Sequence, residues 1–178
     1  YRATDPRVLG LGFAATRDVV ACLRHDPRGQ AVVGGAIGHA LAVGISQSGR
    51  FLREFISSGF NKDESGRRVF DGILAHSAGI SRMFMSHRFA QPDRTTSLHQ
   101  DHDSPENYFP FSTATMEDPL TGQTGSLFRG DGCDPLFMQS NTSTEYWQKA
   151  ASLLHTDPLG KQDAALPANA RVLSLIHI

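Results

Sequence analysis

The segment Gly44-Ile45-Ser46-Gln47-Ser48-Gly49 constrains this chain more than any other, because of what flanks it. Before it, Ala40-Leu41-Ala42-Val43-Gly44-Ile45 is a short continuous apolar run, the pattern of a strand covered on both faces. After it, residues 47–58 read as a helix, with Phe51, Leu52, Phe55 and Ile56 on one side and Arg50, Arg53 and Glu54 on the other; Gly59 ends it. A strand that becomes a helix over so few residues brings two backbones close together, and only small residues fit where they cross. Gly44 and Ser48, two before and two after Ser46, meet that demand. Ser46 is then expected at the apex of a tight turn, in strained dihedrals, with its hydroxyl lifted above the sheet edge.

The pattern G-x-S-x-small is that of a nucleophile elbow. In such a turn the next backbone N–H, here that of Gln47, points at a developing oxyanion beside the helix N-terminus. Ser48 stands where the strict motif has glycine. At ordinary glycine usage the relaxed pattern arises by chance in roughly one chain in five to ten of this length, so the flanking strand and helix carry the argument. The alternative is a plain strand–turn–helix junction with Ser46 capping the helix. Residues 44–49 also satisfy the first half of a phosphate-binding loop. The next two residues are Arg50 and Phe51, however, and phenylalanine has no oxygen for magnesium. Gly34-Gly35-Ala36-Ile37-Gly38 precedes a strand, whereas a dinucleotide loop must open a helix.

Elsewhere, residues 12–25 read as a helix with an apolar stripe of Phe13, Val19, Val20 and Leu23, stopped by Asp26-Pro27-Arg28-Gly29. Residues 69–75 read as a second buried strand. Residues 80–130 mix aromatics, prolines and polar residues without a sustained period, which predicts a loop-rich insertion or lid. A strand at 136–139, a helix around 144–154, a turn at Asp157-Pro158-Leu159-Gly160 and a strand starting at Arg171 complete the order. This succession is an α/β arrangement, a mostly parallel sheet flanked by helices.

The 17 basic and 18 acidic residues give a net charge of −1, which offers no electrostatic footprint for nucleic acid. The longest run free of Asp, Glu, Lys and Arg, residues 29–49, is broken by Gln, His, Ser and glycines and is no membrane span. Cys22 and Cys133 cannot make a disulfide scaffold. His99-Gln100-Asp101-His102-Asp103 mixes imidazole with carboxylate, but no second ligand pair stands at a metal-binding spacing. It reads as a solvated loop tip, and no metal site is expected.

Several blocks together resemble a large family of α/β-hydrolase domain-containing proteins. They are Gly44-Ile45-Ser46-Gln47-Ser48-Gly49-Arg50-Phe51-Leu52-Arg53, Gly59-Phe60-Asn61, Gly66-Arg67-Arg68-Val69-Phe70-Asp71-Gly72 and His87-Arg88-Phe89-Ala90-Gln91-Pro92. Asn141-Thr142-Ser143-Thr144-Glu145-Tyr146-Trp147 and Ala151-Ser152-Leu153-Leu154-His155-Thr156-Asp157 are similar to the same family. The resemblance runs from Gly10 to Val172. It implies a partial α/β-hydrolase fold, lacking early strands, and a serine hydrolase mechanism. Hydrolysis of a small-molecule carboxylic ester through an acyl-enzyme is the expected activity of the full-length protein, with no organic cofactor; without the catalytic histidine this fragment itself is expected to be inactive. A non-catalytic small-molecule-binding protein on the same fold is the alternative.

In this fold the catalytic groups follow in the order serine, acid, histidine. Glu145, beyond the third strand and a polar turn, is the expected acid, holding the imidazole in its working tautomer. Its alternative is a first-turn helix glutamate capped by Asn141 or Ser143. The histidine is expected beyond the strand that starts at Arg171, outside this chain. His155 is the internal alternative; His76 ends the second strand at the same sheet edge as Ser46 but precedes the acid. His25 and His39 read as surface or loop residues. Leu173-Ser174-Leu175-Ile176-His177-Ile178 resembles the translation of a sequencing adapter, so the partial domain is expected over residues 1–172, with no role for His177.

Overall fold

The computed structural model describes residues 4, 10–83 and 106–175. The first helix, α1, spans Leu11–His25 and follows Gly10, whose φ of 80° favours glycine. Phe13 is buried at its N-terminal end and Arg24 at its C-terminal end, whereas Val19 is 57% exposed. One residue of the expected apolar stripe therefore faces outward, while Val20 and Leu23 are half-buried. Arg24 turns inward because backbone acceptors meet it there: its guanidinium donates to the Val69 carbonyl at 2.7 Å and pairs with Asp71 at 2.9 Å. The residues expected only to stop this helix also begin another. Asp26 caps α2, Pro27–Val32, by accepting the Arg28 N–H at 2.8 Å, and Pro27 opens it with its preset φ.

Four parallel strands follow with their connections: β1 at Leu41–Ile45, α3 at Gln47–Ser57, β2 at Gly72–His76, an antiparallel pair of two-residue strands β3 (Met116–Glu117) and β4 (Thr124–Gly125), β5 at Leu136–Thr142, α4 at Ser143–Gln148, and β6 at Ala170–Leu175. The main sheet has the order β1-β2-β5-β6, all parallel. The register pairs Ile45 with His76 and His76 with Ser140, so the ends of β1 and β2 lie beside Ser140, two residues before the end of β5. On one face Leu52, Phe55 and Ile56 of α3 pack against Ile73, Ala75 and Phe137. Phe13 joins them, its ring stacked 4.6 Å from that of Phe51.

The opposite face is open. Leu41 is 73%, Val43 67% and Leu136 68% exposed, so β1 is covered on one face only, against the expectation from its apolar run. The reason is alternation: odd-numbered residues of β1 point away from α3, and among the described residues nothing packs over them.

The polar side of α3 departs from expectation in the other sense. Arg53 and Glu54 are buried, because residues 106–111 of the insertion lie across them. Arg50 pairs with Glu106 at 2.5 Å, and the Arg82 guanidinium sits 3.9 Å above the Tyr108 ring. The helix expected around 144–154 is two pieces. Ala150 takes a φ of 47° between α4 and a 3-10 turn at Ala151–Leu154. Strand β5 runs past the expected Gln139 because pairing with β6 carries it to Thr142.

Candidate functional site

Ser46 connects β1 to α3 with φ 55° and ψ −115°, a region that a residue with a Cβ rarely enters. Two backbone bonds hold it there: its N–H donates to the His76 carbonyl at 2.8 Å, and its carbonyl accepts the Arg50 N–H at 3.0 Å. The side chain does not cap the helix, so the plain capping role is absent. Ser46 and Gln47 are exposed. Gln47 is the first residue of α3, and the first-turn N–H groups of a helix have no acceptor within it.

The crossing of β1 and α3 leaves no room for side chains. A Cβ on Gly44 would lie 2.4 Å from the Ser48 carbonyl oxygen. One on Gly49 would lie 3.1 Å from the Gly44 and His76 carbonyl oxygens and 3.2 Å from the Ala78 Cβ. The small-residue demand thus extends one position further than the motif, because the turn after β2 also packs on the first turn of α3.

That turn carries a second serine in the left-handed region. Ser77 has φ 53°, and its N–H donates to the Ser140 carbonyl at 2.8 Å. Buried polar side chains grip the residues after it. Asn141 Oδ1 accepts the Gly79 N–H at 2.9 Å, and Gln139 Nε2 donates to the Gly79 carbonyl at 2.6 Å. Arg53, fully buried, donates to the carbonyls of Ile80, Ser81 and Phe111 at 3.0, 3.1 and 2.7 Å and to Gln139 Oε1 at 2.6 Å. Burial pushes its guanidinium down to about 9, so it stays charged at neutral pH. Nothing in the periodicity of α3 marked Arg53 as buried, and Ser77 lay unremarked at the end of an apolar run.

Glu145 lies in the first turn of α4. Its Oε2 accepts the Thr142 N–H at 2.8 Å and the Thr142 hydroxyl at 2.6 Å, a capping box. The capping residue is Thr142, where Asn141 or Ser143 was expected. Burial raises the proton affinity of this carboxyl, but the two Thr142 bonds together outweigh it and hold the group below its usual range. The nearby His76 imidazole acts in the same direction.

His76 Nδ1 lies 2.9 Å from Ser140 Oγ, at the end of the strand between those of Ser46 and Glu145. His155 Nε2 is engaged by the Tyr146 hydroxyl. His39 is exposed and His25 half-buried. His87, His99, His102 and His177, with the 99–103 cluster, lie outside the described residues. Among the described residues no group of three or more His, Cys, Asp or Glu side chains is arranged to hold a metal, and no helix is long and apolar enough to cross a membrane.

A parallel sheet, helices on its covered face and a strained serine between strand and helix define an α/β protein of hydrolase type. The chain belongs to the α/β-hydrolase domain family: the family model described as an alpha/beta hydrolase domain matches residues 1–160. No curated protein and no solved structure matches it.

Proposed function

We propose that this protein hydrolyses a small-molecule carboxylic ester through an acyl-enzyme. The observation that carries the reading is Ser46, exposed, outside any capping role and held at φ 55° where β1 meets α3. Its Oγ attacks the ester carbonyl carbon while the hydroxyl proton passes to an imidazole. The bond to the alcohol oxygen breaks, and the imidazolium returns the proton to the departing alkoxide. Water then attacks the acyl-serine by the same route and frees the acid. The Gln47 N–H stabilises the oxyanion, and Glu145 orients the imidazole. The order nucleophile, acid, base along the chain sets His76 aside, and the fold's placement of the base beyond the strand that follows the acid expects that imidazole after β6, with His155 as the internal alternative. The described parts of the expected insertion, residues 80–83 and 106–130, shape the acyl or alcohol pocket. None of these steps calls on a metal or an organic cofactor.

A second reading is a binding protein on the same fold. It is favoured by the capping box, which already occupies one oxygen of Glu145. The two separate on incubation of the full-length protein with ethyl 4-nitrophenyl methylphosphonate followed by peptide mass mapping. An adduct on Ser46 that disappears in Ser46→Ala supports the hydrolase. An unlabelled Ser46 in folded protein leaves the binder. Labelling that is lost in His76→Ala or in His155→Phe names that histidine as the base and overturns a base after β6.

A further inference from the structure

Ser46 and Ser77 are the two serines of the described residues with positive φ, and they stand at the ends of adjacent strands. Neighbouring strands lie about 4.8 Å apart, so the two backbones are within reach of one small substrate. A left-handed conformation at a residue with a Cβ persists only where the surroundings over-determine it, and such positions cluster where ligands bind. At Ser77 the surroundings do over-determine it. The residue before it is fixed by its carbonyl bond to Ser46, and Ser77 itself by the Ser140 carbonyl. Ala78 abuts Gly49 on the first turn of α3. Gly79 is gripped at both its N–H and its carbonyl, and Ile80 and Ser81 by Arg53. Glycine would take the same backbone without strain, yet the position holds a half-buried serine. Among the described residues its hydroxyl has no hydrogen-bond partner.

Strand order places that residue relative to the nucleophile and the acid. Along the sheet edge Ser46 follows β1, Ser77 follows β2 and Glu145 follows β5. In an acyl transfer the base that the acid orients hands its proton to the leaving group, so the leaving group faces the acid side of the nucleophile. The residue between nucleophile and acid is Ser77. We propose that the Ser77 hydroxyl donates a hydrogen bond to the leaving-group oxygen of the substrate held at Ser46; this rests on the hydrolase reading above. As the bond to the leaving oxygen breaks, its electron pair stays on that oxygen, and a donor there stabilises the growing charge.

The test is a series of ethyl aryl methylphosphonates with 4-nitrophenyl, 3-nitrophenyl and unsubstituted phenyl leaving groups. In each, a bond from Ser46 Oγ to phosphorus forms, the bond from phosphorus to the aryl oxygen breaks, and the serine proton ends on solvent or on the aryloxide. Rates are compared for the wild type, Ser77→Ala and Ser77→Gly. A hydrogen bond of ordinary strength is worth about a tenfold rate at the phenyl member. Both variants are expected to lose about that much with phenyl and little with 4-nitrophenyl, whose stable anion needs less help. Ser77→Gly, freed of backbone strain, is expected to melt no lower than wild type, which separates the effect from unfolding. Equal losses across the series, or none, overturn the Ser77 assignment while labelled Ser46 stands. An adduct that persists in Ser46→Ala overturns the hydrolase reading itself.

Discussion

Gly44 and Ser48 touch through their backbones, with 2.4 Å between the site of a Cβ on Gly44 and the Ser48 carbonyl oxygen. Neither side of that contact is a flexible side chain. Gly44→Ala is therefore expected to push β1 and α3 apart and to cost about 1–3 kcal/mol, the range for overpacking a tight interior. At this chain length the melting temperature falls by about 5 °C. Gly49→Ala, whose contacts begin at 3.1 Å, is expected to cost less. Thermal unfolding of the two variants checks the order; a milder effect at Gly44 than at Gly49 contradicts the crossing geometry.

Arg53 ties α3 to three other parts of the chain. Arg53→Met leaves the carbonyls of Ile80, Ser81 and Phe111 and the Gln139 Oε1 without their donor. A buried acceptor left unpaired costs about 1–3 kcal/mol, so a loss of about 3 kcal/mol in urea unfolding is expected after partial relaxation. Gln139→Leu in the same background adds less than it does alone, because the pair is coupled. Strict additivity of the two substitutions contradicts a shared network.

The open sheet face predicts behaviour in solution. Leu41, Val43 and Leu136 form an exposed apolar strip beside an edge of β1 that is unpaired among the described residues. Such strips bind apolar dyes and drive association. The double variant Leu41→Lys, Val43→Thr is expected to lower dye fluorescence and light scattering at equal concentration while keeping the covered core. Unchanged scattering places the association elsewhere.

Local demands were readable in the sequence, and long-range ones were not. The Ser46 turn was legible because the spacing of small residues follows from two backbones crossing within six residues. The bounds of α3 were legible for the same reason, with Gly59 at φ 81° just beyond its end. Arg53 looked like an outward-facing cation, since its partners at Ile80, Ser81, Phe111 and Gln139 are 27 to 86 residues away. The apolar run of β1 said that a strand forms, not which of its faces is covered. Asp26 was legible as a helix stop, but its side chain serves the next helix as well. At the candidate acid, Glu145 and its first-turn position were legible. The cap at Thr142 was not, because the chain offers Asn141, Thr142 and Ser143 in succession and only the turn geometry chooses among them.

Glu145 makes the acid limb of stability informative about its role. Its folded-state proton affinity lies below the ordinary carboxylate value of 4.5. Above that value the unfolded and folded chains are both ionised there, and the full stabilisation is present. As pH falls below 4.5 the unfolded chain takes up the proton first, so stability is lost until the folded carboxyl titrates too. Asp63, bonded to the Arg67 N–H at 2.7 Å and held low by Arg67, contributes to the same limb. Glu145→Gln is therefore expected to flatten the slope below pH 4.5 without abolishing it, and Thr142→Ala to flatten it similarly at a cost of about 1 kcal/mol for the lost cap. The two variants part company at Ser46. If Glu145 orients a base, Glu145→Gln slows phosphonate labelling of Ser46 well beyond what Thr142→Ala does, since the second keeps the carboxylate. Equal labelling in both reduces Glu145 to a capping residue and moves the acid to another position.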